Sequence, residues 1–283
     1  MGNTNRGILL AIVSSALFAA MHVTVRHLSS ELHAFEIAFF RNVFGLAVML
    51  PWLIHYGRRS FQTDMRGWHI GRGLINSVSM LCWYLSLQLL PVADATAINM
   101  TGPLFVTLGA WFFLKETVTW QRWLGIAMIM AGGLVIIRPG FHIAGPGVWL
   151  ALSSTVLFSF SKVISKRLTR TDSTRTIVAY VTTLMIPPTF IAALFVWQWP
   201  TFEQLLWLLF IGSLGTSAHL CMTRAYLYLD IALADPFIVA RLLWATMFGF
   251  IVFQELPDLW TSIGAVIITT GLLFIFLQQS RKE

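Results

Sequence analysis

The chain has 283 residues, of which 57% are hydrophobic and only 11% charged, with a formal net charge of +7. A soluble domain carries about a quarter charged residues, so this composition, with a mean hydropathy of +0.75, excludes an ordinary water-solvated protein. The basic residues lie between apolar runs instead of on one polar face, which excludes nucleic-acid binding as the reason for the positive charge.

Apolar runs of about 18 residues or more recur along the chain, each long enough to cross roughly 30 Å of hydrocarbon as a helix. Cys82 and Cys221 both fall inside such runs and read as small buried hydrophobes, with neither metal spacing nor a disulfide framework. No metal and no cofactor is expected. The first run begins within a few residues of Met1 but lacks a small-residue cleavage pattern and has a counterpart later, so it is kept as a membrane span.

Ten spans are expected, roughly Gly7–Leu28, Phe35–Tyr56, Gly67–Leu90, Val92–Leu114, Gln121–Ile137, Pro146–Ser165, Thr176–Trp197, Glu203–Leu229, Ile231–Gln254 and Asp258–Leu277. Pro91 and the pair Leu229–Asp230 each interrupt a run too long for one crossing, which must therefore fold as a tight helical hairpin. With the N-terminus cytoplasmic, that side receives Arg6, Arg58, Arg59, Arg66, Lys115, Arg122, Lys166, Arg167, Arg170, Arg175, Arg281 and Lys282, against only Arg26 and Arg138 outside. Twelve against two places both termini in the cytoplasm.

The chain also repeats itself. A shift of 139 residues puts Glu116 on Glu255, Gly125 on Gly264 and Gly132 on Gly271, and span 3 on span 8 through Trp68/Trp207, Gly73/Gly212 and Cys82/Cys221. A shift of 140 puts span 1 on span 6, with Gly7 on Gly147, Phe18 on Phe158, Val23 on Val163 and Arg26 on Lys166. Spans 2 and 7 match poorly, and Arg41 has no basic counterpart. Five spans per half is an odd number, so the second half enters the membrane inverted, and a shared site belongs near the midplane where the halves meet. The expected fold is thus an all-α membrane protein of ten transmembrane helices in two inverted five-helix repeats, residues 1–139 and 140–283.

The Glu…Gly…Gly pattern crossing from the fourth to the fifth span of each half, and the arginine early in span 2 (Phe39-Phe40-Arg41), resemble the EamA family of the drug/metabolite transporter superfamily across essentially the whole chain. That resemblance implies a secondary carrier of a small metabolite in a bacterial cytoplasmic membrane. It leaves the cargo open among amino acids and their conjugates, riboflavin, S-adenosylmethionine and phosphorylated solutes.

Site candidates are polar groups at depth, because a charge at a helix centre costs about 2.5–3.5 kcal/mol and persists where it faces a cavity or a partner. Arg241 in span 9 shares a face with Phe237, Trp244 and Phe248, a cationic and aromatic wall suited to a carboxylate or an aromatic ring. The alternative is an ion pair with Asp94 or Asp235 that only holds helices together. Asn76, Trp83 and Tyr84 of span 3, His22 of span 1, Phe158 of span 6 and Asn99 of span 4 complete the expected substrate-binding set. Asn99 opens the stretch Asn99-Met100-Thr101-Gly102-Pro103, where the proline leaves the residue-99 carbonyl without its helical donor and a kink is expected, facing either substrate or a packed neighbour.

Arg41 with Glu36, five residues before it, forms either an outer gate or a structural anchor. Lys162 is either a cytoplasmic gate or a snorkelling side chain, and Arg72 reads as snorkelling. His22 and His219 are candidates for proton coupling, against the alternative of hydrogen-bonded packing residues. The glycines of spans 5 and 10 are expected to allow close packing away from the cargo. No GxSxG, HExxH, phosphate-loop or ATPase motif occurs, so no enzyme activity and no primary pump is expected.

The function expected is secondary transport by alternating access, with export of an amino acid or related zwitterion leading. Uptake of a cofactor such as riboflavin or S-adenosylmethionine is the alternative among carriers, and a non-transporting scaffold or sensor the alternative of another class. Expected partners are the small-molecule metabolite and membrane lipid, with a homodimer left open.

Overall fold

A computed structural model describes residues 3–57, 62–114, 120–137, 145–168, 171–225, 228 and 237–280. All twelve elements in these residues are helices: α1 (Asn3–Leu28), α2 (Ala34–Tyr56), α3 (Arg66–Leu89), α4 (Val92–Asn99), α5 (Gly102–Leu114), α6 (Trp120–Ile137), α7 (Pro146–Leu168), α8 (Thr174–Leu184), α9 (Ile186–Leu194), α10 (Phe202–Ala225), α11 (Phe237–Phe253) and α12 (Leu259–Ser280). They account for the ten expected spans, because two spans are each built from two pieces.

The first broken span is α4–α5. Past Asn99, Thr101 N–H reaches only the Ile98 carbonyl at 3.0 Å, and Leu104 N–H only the Thr101 carbonyl at 3.0 Å, so the chain tightens and restarts. Hydroxyls of α7 receive the break: Ser159 donates to the Gly102 carbonyl at 3.1 Å, and Asn99 Nδ2 donates to Thr155 Oγ1 at 3.3 Å. The expected kink is present, and α7 is packed into it. The second break, at Met185 between α8 and α9, was not expected. Pro187 and Pro188 begin α9, and neither has an N–H to continue the ladder from α8. This span ends at Leu194, short of the expected Trp197.

Five helices are long and apolar enough to cross a membrane by length and composition, within α1, α2, α7, α8–α9 and α10, and shorter apolar helices lie within α6, α11 and α12. The helix α3 falls outside both groups because it buries His69, Asn76, Ser77, Ser79 and Ser86 against its neighbours.

The halves are inverted, as α6 and α12 show. A Cβ on Gly132 would lie 2.7 Å from the Gly264 carbonyl, one on Gly264 2.6 Å from the Gly132 carbonyl, and one on Gly271 3.0 Å from the Gly125 carbonyl. Gly125 therefore meets Gly271 while Gly132 meets Gly264, so these equivalent helices run antiparallel with backbones touching. The other contacts are exchanged between halves. The helix α1 packs on α10 and α11, and its equivalent α7 packs on α3 and on α4–α5. Ser14 Oγ donates to the Ala218 carbonyl at 2.8 Å, and at the equivalent place Ser154 Oγ donates to the Ser79 carbonyl at 2.8 Å. Spans 2 and 7 also prove equivalent in space despite their poor sequence match. A Cβ on Gly212 would meet Phe44 and Gly45 of α2, and one on Gly73 would meet Leu184 of α8. Phe44 and Leu184 are then equivalent, and the Arg41 position corresponds to Val181.

Candidate functional site

The main core cluster draws on α1, α2, α3, α10 and α11, and includes Trp83, Tyr84 and Met21 with Phe18, Trp244 and Phe248 packed against it. Within it Phe18 is the hub. The Arg241 guanidinium lies over its ring at 4.6 Å, His219 meets it edge-on at 4.9 Å, and His22 lies 6.4 Å away. His22 in turn packs edge-on against Trp83 at 5.1 Å, and Trp244 stacks on Phe248 at 5.9 Å. Arg241, Trp244, Phe248, His22, Trp83, Tyr84 and His219 are thus gathered from both halves into one cationic and aromatic centre.

Several polar atoms in this region are buried and without a hydrogen-bond partner: His22 Nδ1, Asn76 Oδ1, Trp83 Nε1, Tyr84 Oη and Arg41 Nε. Buried polar groups are nearly always paired, so such a concentration marks a place where a ligand or water completes the bonding.

Other expected residues have contacts of their own. Glu36 is fully buried, and its Oε1 accepts from the Gln198 backbone N–H at 2.6 Å. Arg41 Nη1 donates to Asn42 Oδ1 at 2.9 Å instead, so no Arg41–Glu36 gate forms. Five residues correspond to roughly 140° around a helix, which points the two side chains apart. Phe158 is 40% exposed, with the Lys162 ammonium 5.9 Å from its ring, and these two form a pair of their own on α7. Arg72 does not snorkel: its Nη1 donates to the Ile177 carbonyl at 3.2 Å, crossing to the second half. Asn99 is held by α7 as described. Phe237 lies at the start of α11 with its side chain outside the described residues, as are Asp235 and Glu116.

Three features escaped sequence reasoning. Phe18 lies on the stripe of His22 and repeats as Phe158, which was the signal for it. Arg26, counted as a loop charge, pairs with Glu255 at 2.6 Å and lies 4.8 Å over the Phe253 ring. Gln254 makes this contact by adopting a left-handed φ of 56°, which turns the chain out of α11. The third is a buried pair at the start of α3, where His69 Nε2 lies 2.6 Å from Asp172 Oδ2, with exposures of 1% and 6%. Thr63 Oγ1 donates to the same carboxylate at 2.6 Å, and Tyr180 stacks on the imidazole at 4.4 Å. Burial alone would push the Asp172 carboxyl up. The hydrogen bonds from Thr63 and His69, the His69 charge and a further bond from Thr171 together hold it below the ordinary value.

Among the described residues no group of three or more His, Cys, Asp or Glu side chains could hold a metal ion. The profile of the EamA-like transporter family matches residues 5–138 and 145–277. The chain belongs to this family. It is 30% identical to an S-adenosylmethionine uptake transporter of Rickettsia bellii (strain RML369-C) over 96% of this chain and 93% of that one. It is 28% identical to a riboflavin transporter of Vibrio cholerae serotype O1, covering 98% and 95% of the two chains. It is likewise 28% identical to solute carrier family 35 member G1 of Homo sapiens, over 94% of this chain and 77% of that one. A solved structure superposes with a TM-score of 0.68 at 19% identity, covering 99% of this chain and 98% of the other, a likeness of fold. The chain is therefore a multi-pass membrane transporter of a small molecule.

Proposed function

We propose that this carrier takes up a cofactor-type aromatic metabolite, of the size and chemistry of S-adenosylmethionine or riboflavin, through the centre between its two halves. The observation that carries this reading is the Phe18 hub, where Arg241, His219 and His22 converge on one ring beside Trp83. Flat aromatic faces with nearby unpaired donors suit a heterocycle carrying polar substituents. The relatives with curated names of that kind support the same choice.

Export of free amino acids, the leading expectation from sequence, has less support. These relatives are named for S-adenosylmethionine uptake and for riboflavin transport. In this reading the repeats are residues 1–139 and 140–283, the membrane is a bacterial cytoplasmic membrane, and both termini are cytoplasmic on the twelve-to-two distribution of basic residues. Arg241, Trp244, Phe248, Trp83, Tyr84, Asn76 and His22 contact the cargo, and α6 and α12 do not.

Proteoliposome flux tests the proposal. Labelled S-adenosylmethionine and riboflavin are offered separately, and saturable uptake of at least one is expected. Arg241→Ala should then weaken half-saturation about tenfold, the loss of one charge-assisted contact. Well-folded protein that moves neither solute would sink the reading, and unchanged kinetics would remove Arg241 from the site.

A further inference from the structure

The cation most sharply defined in the centre is Arg41 of α2. Its Nη1 is tied to Asn42 Oδ1, and its Nε is buried with no acceptor. Among the described residues no carboxylate lies within ion-pair distance of it. The guanidinium rests against Gly215 of α10, where a Cβ would come 3.0 Å from Nη2 and 3.2 Å from Nε. The missing side chain lets the Nε–Nη2 edge, the one that can grip a carboxylate through two parallel hydrogen bonds, pack against this backbone beside Met21, with Nε closed to solvent.

Of the other unpaired atoms in this region Asn76 Oδ1 accepts, whereas two are donors. Trp83 Nε1 can only donate, and Tyr84 Oη is a ready donor; both belong to residues over nine-tenths buried. The Arg41 charge acts on Tyr84 and on His22, which packs against Trp83. A cation at membrane depth without a counter-charge is costly, and here it is joined by donors that lack acceptors. What the cluster lacks is an acceptor-rich group of negative charge.

We propose that Arg41, with Trp83 and Tyr84, seats the carboxylate of the transported solute. The inference rests on the cofactor-carrier reading above and narrows it. The cargo is then a nucleoside-type heterocycle bearing an amino-acid group, as S-adenosylmethionine does, and not a neutral flavin. The heterocycle lies toward the aromatic face formed by Phe18, Trp244 and Phe248.

Equilibrium binding by the purified full chain, read by thermal shift and by titration, tests this with three probes: S-adenosylmethionine, its decarboxylated analogue and riboflavin. Wild type should bind S-adenosylmethionine at least tenfold more tightly than the other two. Arg41→Gln should lose about tenfold for S-adenosylmethionine and nothing for the decarboxylated analogue. Arg41→Lys should lie between. If Arg41→Gln does not fold, Gly215→Ala keeps the charge but displaces the guanidinium, and should give the same carboxylate-selective loss. Equal weakening for both adenosyl probes, or for neither, overturns the Arg41 assignment and leaves the carrier reading standing. Binding of none of the three by folded wild-type protein overturns both.

Discussion

The α1–α10 and α7–α3 interfaces occupy equivalent places in the two halves, yet one end of each is built differently. After α1 the chain turns with Glu31 and Leu32 N–H groups on the Leu28 carbonyl, and after α7 with Thr171 and Asp172 on the Leu168 carbonyl. The turns are alike, but Leu32 and Leu208 join the apolar core at one membrane face, whereas Asp172 and His69 form a buried pair at the other. At the adjacent positions, Trp207 takes an edge-on contact from His27 at 5.6 Å, and its equivalent Trp68 lies under the Arg167 guanidinium at 4.3 Å. The backbone of the duplicated unit has been kept while the forces at its ends diverged. One end depends on apolar area, the other on a few short polar contacts that tolerate no loss of a partner.

The largest expected effect follows directly. Asp172→Ala strands a buried imidazole and should cost about 3–5 kcal/mol, read as a fall in thermal unfolding temperature. Leu208→Ala at the equivalent apolar position should cost about 2–5 kcal/mol by cavity formation alone. The two differ in their response to acid. The Asp172 carboxyl is held below its ordinary value of 3.8, so its contribution is present above that pH and is lost as pH falls through the depressed value. The stability gap between wild type and Asp172→Asn should therefore close as pH falls through the depressed value. The gap for Leu208→Ala should stay unchanged. A gap for Asp172→Asn that stayed constant down the whole acid limb would break the comparison.

Smaller effects sharpen it. Gly264→Ala forces a methyl against the Gly132 carbonyl and should cost about 1–3 kcal/mol, with binding affinity unaltered if, as proposed, α6 and α12 do not contact the cargo. Ser154→Ala removes a hydroxyl that both donates to the Ser79 carbonyl and lies 3.2 Å from Ser79 Oγ. It should cost about 1 kcal/mol, and more than Ser14→Ala, whose hydroxyl makes the one contact to Ala218. Glu255→Gln should cost least, below about 1 kcal/mol, since its side chain is 37% exposed and solvent screens the pair with Arg26. That small loss should shrink further as salt is added.

Much of the fold was legible because its signals are local or periodic. Apolar run length gave the ten spans, repeated glycines gave the α6–α12 seam, and Pro103 gave the α4–α5 break. Pro187-Pro188 held the signal for the second break, hidden within a run apolar enough to read as one crossing. Pairings between distant residues left no such trace. His69 and Asp172 lie 103 positions apart, and Arg26 and Glu255 lie 229 apart. The grouping of Arg241, His22, Trp83 and Tyr84 was expected from depth alone, but Phe18 as its hub required the crossing of α1 with α10 and α11. Glu36 failed as the partner of Arg41 because nearness in sequence outweighed helical angle.

The glycine seam has a consequence beyond close packing. Side chains that interlock must usually change rotamer when one body turns on another, and each such change has an energetic and entropic cost. Where Gly132 faces Gly264 and Gly125 faces Gly271, main chain meets main chain, flanked by the side chains of Ile136, Ile268, Met128 and Ile129. In a turn of one half against the other about this line, the glycine faces themselves have no rotamers to reset, and the friction of the seam would come from those four flanking side chains.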